Sequence, residues 1–256
     1  LAQYQRDIMP LINRVQFLQD EQPMHTVSVD LDFDLNLKSD TEANNPNIRV
    51  NLVGRIDDIL PKGLVNYRPG TAHGRDFVRV YLRHLCLNAM ADKASPTEQH
   101  NAKQGYSYLL DIGHFHAFAP ITAEQARAQL MRFIVCFIQG QRQPLCFMPK
   151  TAFAYAEADG EHEDKLLKAK AKWDDGQTQF GEAFDPHNQR LFHFPEDFSQ
   201  QHFGQLVEHL LAPMISLYHK GKLAELERFV SDSAVPNMTT SAEVISITRA
   251  KPGAEE

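Results

Sequence analysis

The sequence has few cysteines and lacks any long apolar segment, and both shortages limit the kind of protein it encodes. Its 256 residues include three cysteines, Cys86, Cys136 and Cys146. An odd number of cysteines among apolar neighbours is typical of buried free thiols in a reducing compartment, so we expect a cytoplasmic protein without disulfides. No apolar run is long enough to cross a bilayer, and we expect no membrane-spanning segment. The chain also lacks a basic-then-apolar leader, which favours a fragment of a longer protein over a secreted precursor.

Signatures of bound cofactors are missing as well. No glycine-rich phosphate loop of the Walker type is present, so we do not expect the chain to bind ATP. His114 and His116 lie on one face of a predicted strand, but no third ligand accompanies them. The remaining histidines are not paired with a candidate Ser or Cys nucleophile. We therefore expect neither a metal ion nor another cofactor.

What the sequence does contain is an ordinary globular composition with an uneven distribution of charge. The hydrophobic share of 43% and the charged share of 23% exclude a disordered acidic chain and a fibrous repeat. A net charge of -7 disfavours non-specific binding to polyanions. Residues 51–90 have the opposite sign, with six basic against three acidic side chains. This segment is therefore a candidate surface for nucleic acid or for an acidic partner.

Hydrophobic periodicity predicts a mixed α+β fold in the first half of the chain. Residues 1–20 have apolar side chains at helical spacing, whereas residues 27–35 alternate strictly between apolar and acidic or polar side chains. After a polar loop at 39–47, two further short strands surround the turn at Pro61 and Gly63. Three strands joined by local turns predict an antiparallel meander, and residues 75–91 follow as a buried helix.

The second half is predicted to be mainly helical. A polar loop at 92–104 precedes a strand at 106–118, and Thr122 and Gln125 form a capping-box signature for a helix to about residue 139. A short strand is predicted at 145–148. Beyond it we expect no strand, but helices at 163–174, 199–218 and 222–229 that form a helical C-terminal cap. Residues 1–230 are predicted to be one domain and residues 231–256 a flexible tail.

The hairpin around the Pro61 turn carries the most informative polar residues. Asn66 and Arg68 are two positions apart on a strand, so their side chains project from the same face. Asp57 ends the preceding strand, and regular pairing of the two strands would bring it close to both residues. We therefore expect Arg68 to form an ion pair with Asp57.

This arrangement resembles the core of the PD-(D/E)xK nuclease family, particularly its RecB-like branch. In that family, two carboxylates bind a divalent cation that activates water, and a lysine supports the developing charge. Asp57 matches the first carboxylate, but Asn66 replaces the second and Arg68 replaces the lysine. The resemblance thus implies a restriction-endonuclease-like core sheet with flanking helices whose catalytic centre has been lost.

Longer strings of residues, at 64–70 and 80–89, are similar to the RecC C-terminal domain family. RecC is the gamma subunit of exodeoxyribonuclease V, the RecBCD helicase–nuclease. The resemblance implies a catalytically inactive domain of an ATP-dependent exonuclease complex that acts in double-strand break repair by homologous recombination. It also implies that the parent subunit contacts DNA, takes part in recognising the Chi sequence, and bridges the partners RecB and RecD.

Three arginines on the predicted 75–91 helix are candidates for contact with DNA. Arg75, Arg79 and Arg83 recur every four residues, so they lie along one stripe of the helix. Such a stripe suits a phosphate backbone, an acidic protein partner, or simply solvent.

Two other functions remain open at this level. The first is an active metal-dependent nuclease, in which Asp30, Asp32 or Asp34 supplies the carboxylate that Asn66 lacks. The second is a pure protein-docking domain without contact to DNA.

Overall fold

A mixed six-stranded sheet between two layers of helices forms the centre of the molecule. The computed structural model describes residues 2–36, 47–91, 105–175, 180–199 and 201–234. The strands are β1 (His25–Asn36), β2 (Asn47–Leu60), β3 (Gly63–Tyr67), β4 (Ser107–Leu110), β5 (His114–Phe118) and β6 (Tyr218–Lys222). Their order in the sheet follows the chain, and every neighbouring pair is antiparallel except β3 and β4, which are parallel.

Helices surround this sheet on both faces. They are α1 (Ala2–Gln19), α2 (Gly74–Met90), α3 (Ala123–Gly140), α4 (Pro149–Glu157), α5 (His162–Trp173), α6 (Pro186–Leu191), α7 (Glu196–Ser199), α8 (Gln201–Leu217) and α9 (Leu226–Ala234), with short 3-10 turns at Glu182–Phe184 and Leu223–Glu225. The predicted α+β class, the N-terminal helix and the antiparallel meander are confirmed. Within the described ranges, no helix has the length and hydropathy needed to cross a membrane.

Two hydrophobic cores lie on opposite faces of the sheet. The larger core packs the apolar side chains of β1 and β2 against α2, α3, α4, α5 and α8. The smaller core packs the other face of β3, β4 and β5 against α1 and the 3-10 turn that precedes α9. The alternation of apolar and polar residues in β1 explains this arrangement, since Val29, Leu31 and Phe33 are buried while the acidic residues between them face outward.

The predicted capping box at the start of α3 is confirmed. The backbone N–H of Gln125 donates to the Thr122 hydroxyl at 3.2 Å, and the Thr122 N–H donates to the Gln125 side chain at 3.1 Å. Ala126 and Leu130 of this helix are buried. Phe137, at helical spacing from Leu130, is 68% exposed because the last turns of α3 extend beyond the core.

Three predictions of secondary structure are wrong. The strand predicted at 106–118 is two strands, because Asp111 accepts backbone hydrogen bonds and makes a turn between β4 and β5. Residues 145–148 form no strand; they lead into α4, which begins at Pro149, a residue that suits the first helical position. The C-terminal part, expected to be only helical, contributes β6, whose polar residues suit a sheet edge.

The ends of the described ranges leave some predictions untested. Residues 37–46 and 92–104 lie outside the described residues, as do almost all of the two polar loops predicted there. Helix α9 continues to Ala234, four residues into the predicted tail. Residues 235–256 are not described, so a flexible tail stays a prediction.

Candidate functional site

A β-bulge in β2 determines which face of the sheet Asp57 occupies. The pairing of β2 with β1 shifts by one residue between Ile56 and Ile59, and Asp58 adopts a left-handed backbone with a φ of 63°. As a result Ile56 and Ile59, although three residues apart, both contribute to the larger core. Asp57 follows Ile56 directly, so its side chain lies on the opposite face of the sheet.

The contacts of Asp57 agree with this placement. Its carboxylate accepts a hydrogen bond from the Thr26 hydroxyl at 2.8 Å and lies 3.4 Å from the Arg55 guanidinium. All three side chains are exposed. The residue predicted to be the first metal carboxylate is thus a solvated side chain on the outer face of the β1–β2 hairpin.

Asn66, on β3, and Arg68, one residue beyond its end, both contact helix α2. Arg83 donates to the Asn66 side-chain oxygen at 3.1 Å. Arg68 donates to both oxygens of Asp76, at 3.1 and 3.3 Å, in the first turn of α2. The predicted ion pair between Arg68 and Asp57 is therefore wrong, because the bulge turns Asp57 to the other face and Asp76 takes its place.

The three arginines of α2 have different surroundings. Arg83 is half-buried and held by Asn66, whereas Arg75 and Arg79 are exposed. Neither Arg75 nor Arg79 forms a hydrogen bond or an ion pair with any residue that the structure describes. The stripe of three predicted from sequence therefore offers two cations to solvent rather than three.

Asp111 is the most buried carboxylate of the described residues, and the sequence did not identify it. It is 2% exposed in the turn between β4 and β5. One oxygen accepts the backbone N–H groups of Gly113 at 2.8 Å and His114 at 2.6 Å, and the other accepts that of Ala72 at 3.0 Å. The signal that could have identified it is the pair Asp111 and Gly113 inside a predicted strand, a combination typical of a turn.

A buried histidine connects Asp111 to the far edge of the sheet. The His116 Nε2 atom lies 3.5 Å from the Asp111 carboxylate, an electrostatic contact at the limit of a hydrogen bond. Its Nδ1 atom lies 2.7 Å from the Tyr218 hydroxyl on β6. Burial by itself would raise the pKa of Asp111, but His116 and three backbone N–H groups outweigh it and hold that pKa well below its usual value.

Asp111, His116 and Tyr218 form a chain of contacts that links separate parts of the fold. Asp111 and His116 are each 2% exposed, so both polar side chains depend on one another and on backbone groups for their contacts. Burial also raises the pKa of the Tyr218 phenol, which stays protonated at neutral pH. The three side chains connect the start of α2, the β4–β5 turn and strand β6.

Neither metal ligation nor thiol chemistry has a centre among the described residues. No group of three His, Cys, Asp or Glu side chains within the ranges 2–36, 47–91, 105–175, 180–199 and 201–234 could hold a metal ion. The three cysteines are free and half-buried. Burial raises the pKa of Cys86 to about 11 and that of Cys146 to about 12, so both thiols stay protonated and weakly nucleophilic at neutral pH.

A cavity of about 500 Å³ opens where the first turns of α2 and α4 meet the segment 180–188. Arg75 contributes from α2 and Lys150 from α4, while Phe147, Phe180 and Phe184 supply aromatic rings. The close packing of the two helices depends on Gly74, because a Cβ atom there would lie 2.1 Å from the Pro149 carbonyl oxygen.

The comparison with known families agrees with the resemblance read from the sequence. The RecC C-terminal domain matches residues 1–160, a range that contains the β1–β2–β3 meander, helix α2 and the β4–β5 turn. Helices α5 to α9 and strand β6 lie beyond the matched residues. No curated protein matches the chain. Because the match covers more than half of the 256 residues, the chain belongs to the RecC C-terminal domain family, and its role lies in DNA repair within RecBCD.

Proposed function

We propose that this chain is a non-catalytic domain that handles DNA and bridges RecB and RecD within RecBCD, acting in the cytoplasm during homologous recombination. The observation that carries the proposal is the set of contacts that Asn66 and Arg68 make with helix α2. By the resemblance to the PD-(D/E)xK family they correspond to a metal carboxylate and a lysine of a restriction-endonuclease-like core, and here side chains of α2 contact both of them. The assignment of RecB and RecD as partners rests on family membership.

The chemistry at Asn66 argues against a metal-dependent nuclease. An amide oxygen is neutral, and here it accepts a hydrogen bond from the Arg83 guanidinium, which repels a divalent cation. Asp57 lies on the other face of the sheet. The two oxygen ligands expected of a nuclease centre therefore do not converge.

The acidic residues of β1 do not replace the missing ligand either. Asp57 pairs with Thr26, and Asp30 is four residues further along β1, a separation of about 13 Å for an extended strand. Carboxylates that share a cation lie within about 2.6 Å of it. In addition, Asn51 donates hydrogen bonds to Asp30 and Asp32. We therefore disfavour the alternative of a rebuilt nuclease centre.

Contact with DNA is supported by the two outward arginines of α2. Arg75 and Arg79 are exposed on adjacent turns, about 6 Å apart along the helix axis. Neither is neutralised by a carboxylate of the described part of the chain. Exposed cations without counter-charges are the groups from which phosphate affinity arises.

The absence of catalysis is tested by a cleavage assay. We expect no products when the chain is incubated with linear duplex or single-stranded DNA in the presence of Mg²⁺ or Mn²⁺, because Asp57 and Asn66 lie on opposite faces of the sheet and the described residues contain no group of three His, Cys, Asp or Glu side chains that could hold the metal. The measurement is the time course of end-labelled fragments on a gel. Cleavage by the wild-type chain that is lost in Asp57→Ala would contradict the proposal and support the alternative of an active nuclease.

Contact with DNA is tested by removing the two exposed arginines. The double variant Arg75→Ala/Arg79→Ala should bind DNA of any sequence more weakly, and the slope of log affinity against log salt should fall by about 0.7–0.9 per lost phosphate contact. Fluorescence anisotropy with labelled oligonucleotides at several salt concentrations gives this slope.

The matched control removes two other exposed cations, Arg142 in the turn after α3 and Lys220 on β6. The variant Arg142→Ala/Lys220→Ala changes the net charge equally but should leave DNA affinity nearly unchanged. Equal losses of DNA affinity in the two double variants would show that DNA binding depends only on the net charge of the chain. Normal DNA binding together with failed assembly with RecB and RecD would favour a pure docking domain.

A further inference from the structure

The cavity between α2 and α4 has aromatic walls. Phe180 and Phe184 are 66% and 42% exposed, and Phe147 is half-buried beside them. Neither Phe147 nor Phe184 stacks on another aromatic ring of the described residues. Exposed large apolar side chains that surround a concave surface mark binding sites more often than chance.

The acidic side chains of the cavity accept hydrogen bonds from backbone N–H groups at the beginnings of helices. Glu182 is 7% exposed, and its two oxygens accept the backbone N–H groups of Lys150 at 3.1 Å and Thr151 at 2.8 Å, at the beginning of α4. Asp185 accepts the backbone N–H groups of His187 and Asn188 at the beginning of α6. Both carboxylates are thus stabilised by backbone donors.

The cations of the cavity, in contrast, have no carboxylate partner within the described residues. The Lys150 ammonium donates to the Phe180 carbonyl oxygen at 2.9 Å, a neutral acceptor. Arg75 is exposed and forms no hydrogen bond with the residues described. The cavity therefore presents two positive groups that a bound anion would neutralise.

Positive groups next to aromatic rings select a ligand that is both anionic and planar. A nucleotide has these properties, since its phosphate suits guanidinium and ammonium groups and its base stacks on phenylalanine. Base pairs of a duplex are stacked on one another, so a base that enters the cavity must be unpaired. A volume of about 500 Å³ lies within the range of small-ligand sites.

We propose that this cavity binds one unpaired nucleotide of a DNA single strand, with its base against Phe147 and Phe184 and its phosphate at Arg75 and Lys150. The inference rests on the proposed function in DNA handling and adds a site and a strand preference to it. Arg79, one turn beyond Arg75, continues the positive surface away from the cavity, as a strand that leaves it would require.

The test compares Phe184→Ala with Phe137→Ala in the 256-residue chain. Both variants remove an exposed phenylalanine, but Phe137 is on α3 and does not line the cavity. We expect Phe184→Ala to bind a thymine-rich single strand roughly 5- to 150-fold more weakly, the cost of losing one stacked base. Phe137→Ala should bind it like the wild type, and neither change should alter affinity for duplex DNA.

A crosslinking experiment locates the base independently. Oligonucleotides that contain 5-iododeoxyuridine, irradiated with the wild-type chain, should crosslink to peptides that contain Phe147 or Phe184. If Phe184→Ala binds single strands normally while Arg75→Ala/Arg79→Ala binds them weakly, the cavity is not the site but DNA handling stands. Equal weakening of single-strand and duplex binding by Phe184→Ala also overturns the cavity proposal. If the wild-type chain binds no DNA, both proposals fail.

Discussion

Asp111→Asn should lower the free energy of unfolding by about 3–5 kcal/mol, the range found when one partner of a buried charged network is removed. Asparagine has the same shape, but it replaces one acceptor oxygen with an amide donor. That donor then faces the backbone N–H of Ala72 or those of Gly113 and His114, so buried donors lose their acceptor. Urea denaturation at pH 7, followed by circular dichroism, measures the change.

The matched control for this prediction is Asp57→Asn. Asp57 is on the same sheet and accepts a hydrogen bond from Thr26, but its side chain is 60% exposed. Water can replace the hydrogen bond that the substitution weakens, so we expect the free energy of unfolding to fall by less than about 1 kcal/mol. Similar losses in the two variants would contradict the role assigned to the burial of Asp111.

The effect of Asp111 should also depend on pH in a defined direction. Its pKa in the folded protein is well below the value of about 3.9 for an unfolded aspartate. The stabilising contribution is therefore complete above about pH 5 and is lost as the pH falls below 4 toward the depressed folded pKa. The difference in unfolding free energy between the wild type and Asp111→Asn should shrink over that interval.

Gly74→Ala should lower the free energy of unfolding by about 2–3 kcal/mol through overpacking. The added methyl group would lie 2.1 Å from the Pro149 carbonyl oxygen and 2.7 Å from its carbonyl carbon. These are backbone atoms at the start of α4, so they cannot rotate away as a side chain would. The two helices must separate, and Arg75 moves with α2. Binding of single-stranded DNA should weaken together with stability.

Gly54→Ala provides the matched control, since a Cβ atom at Gly54 would meet no heavy atom within 4 Å. Alanine costs less conformational entropy than glycine in a strand, so stability should be unchanged or higher by about 0.5 kcal/mol. Thermal and urea denaturation of both variants measure the contrast. If Gly74→Ala left the free energy of unfolding unchanged, α2 and α4 would not pack as described.

Local patterns predicted the regular parts of the fold well, because the alternation in β1 and the capping box at Thr122 are contained within a few residues. The bulge at Asp58 could not be predicted this way. The bulge arises where β2 pairs with β1. A glycine in the sequence would have indicated a positive φ, whereas the aspartate found at this position does not. The prediction that Arg68 contacts Asp57 assumed regular pairing and failed at that residue.

Other features depend on contacts between distant segments. Strand β6 carries polar residues and pairs only with β5, so its sequence has no apolar alternation to reveal it. Asp111 falls inside the strand predicted at 106–118, and its contacts with Ala72 and His116 join residues that the fold brings together. The cavity likewise joins residues of three separate segments, and no spacing within the sequence relates Arg75 to Phe184.

The agreement between strand order and chain order has a consequence for synthesis on the ribosome. Strands β1 to β5 can join the sheet one after another as they emerge, each beside the strand made before it. Strand β6 is made only after α3 to α8. Until then the edge of β5 has no neighbouring strand, and its backbone donors and acceptors on that side are unpaired. An exposed edge with two phenylalanines is a template for intermolecular pairing and aggregation. Nascent chains are therefore most vulnerable in the interval before Tyr218 emerges.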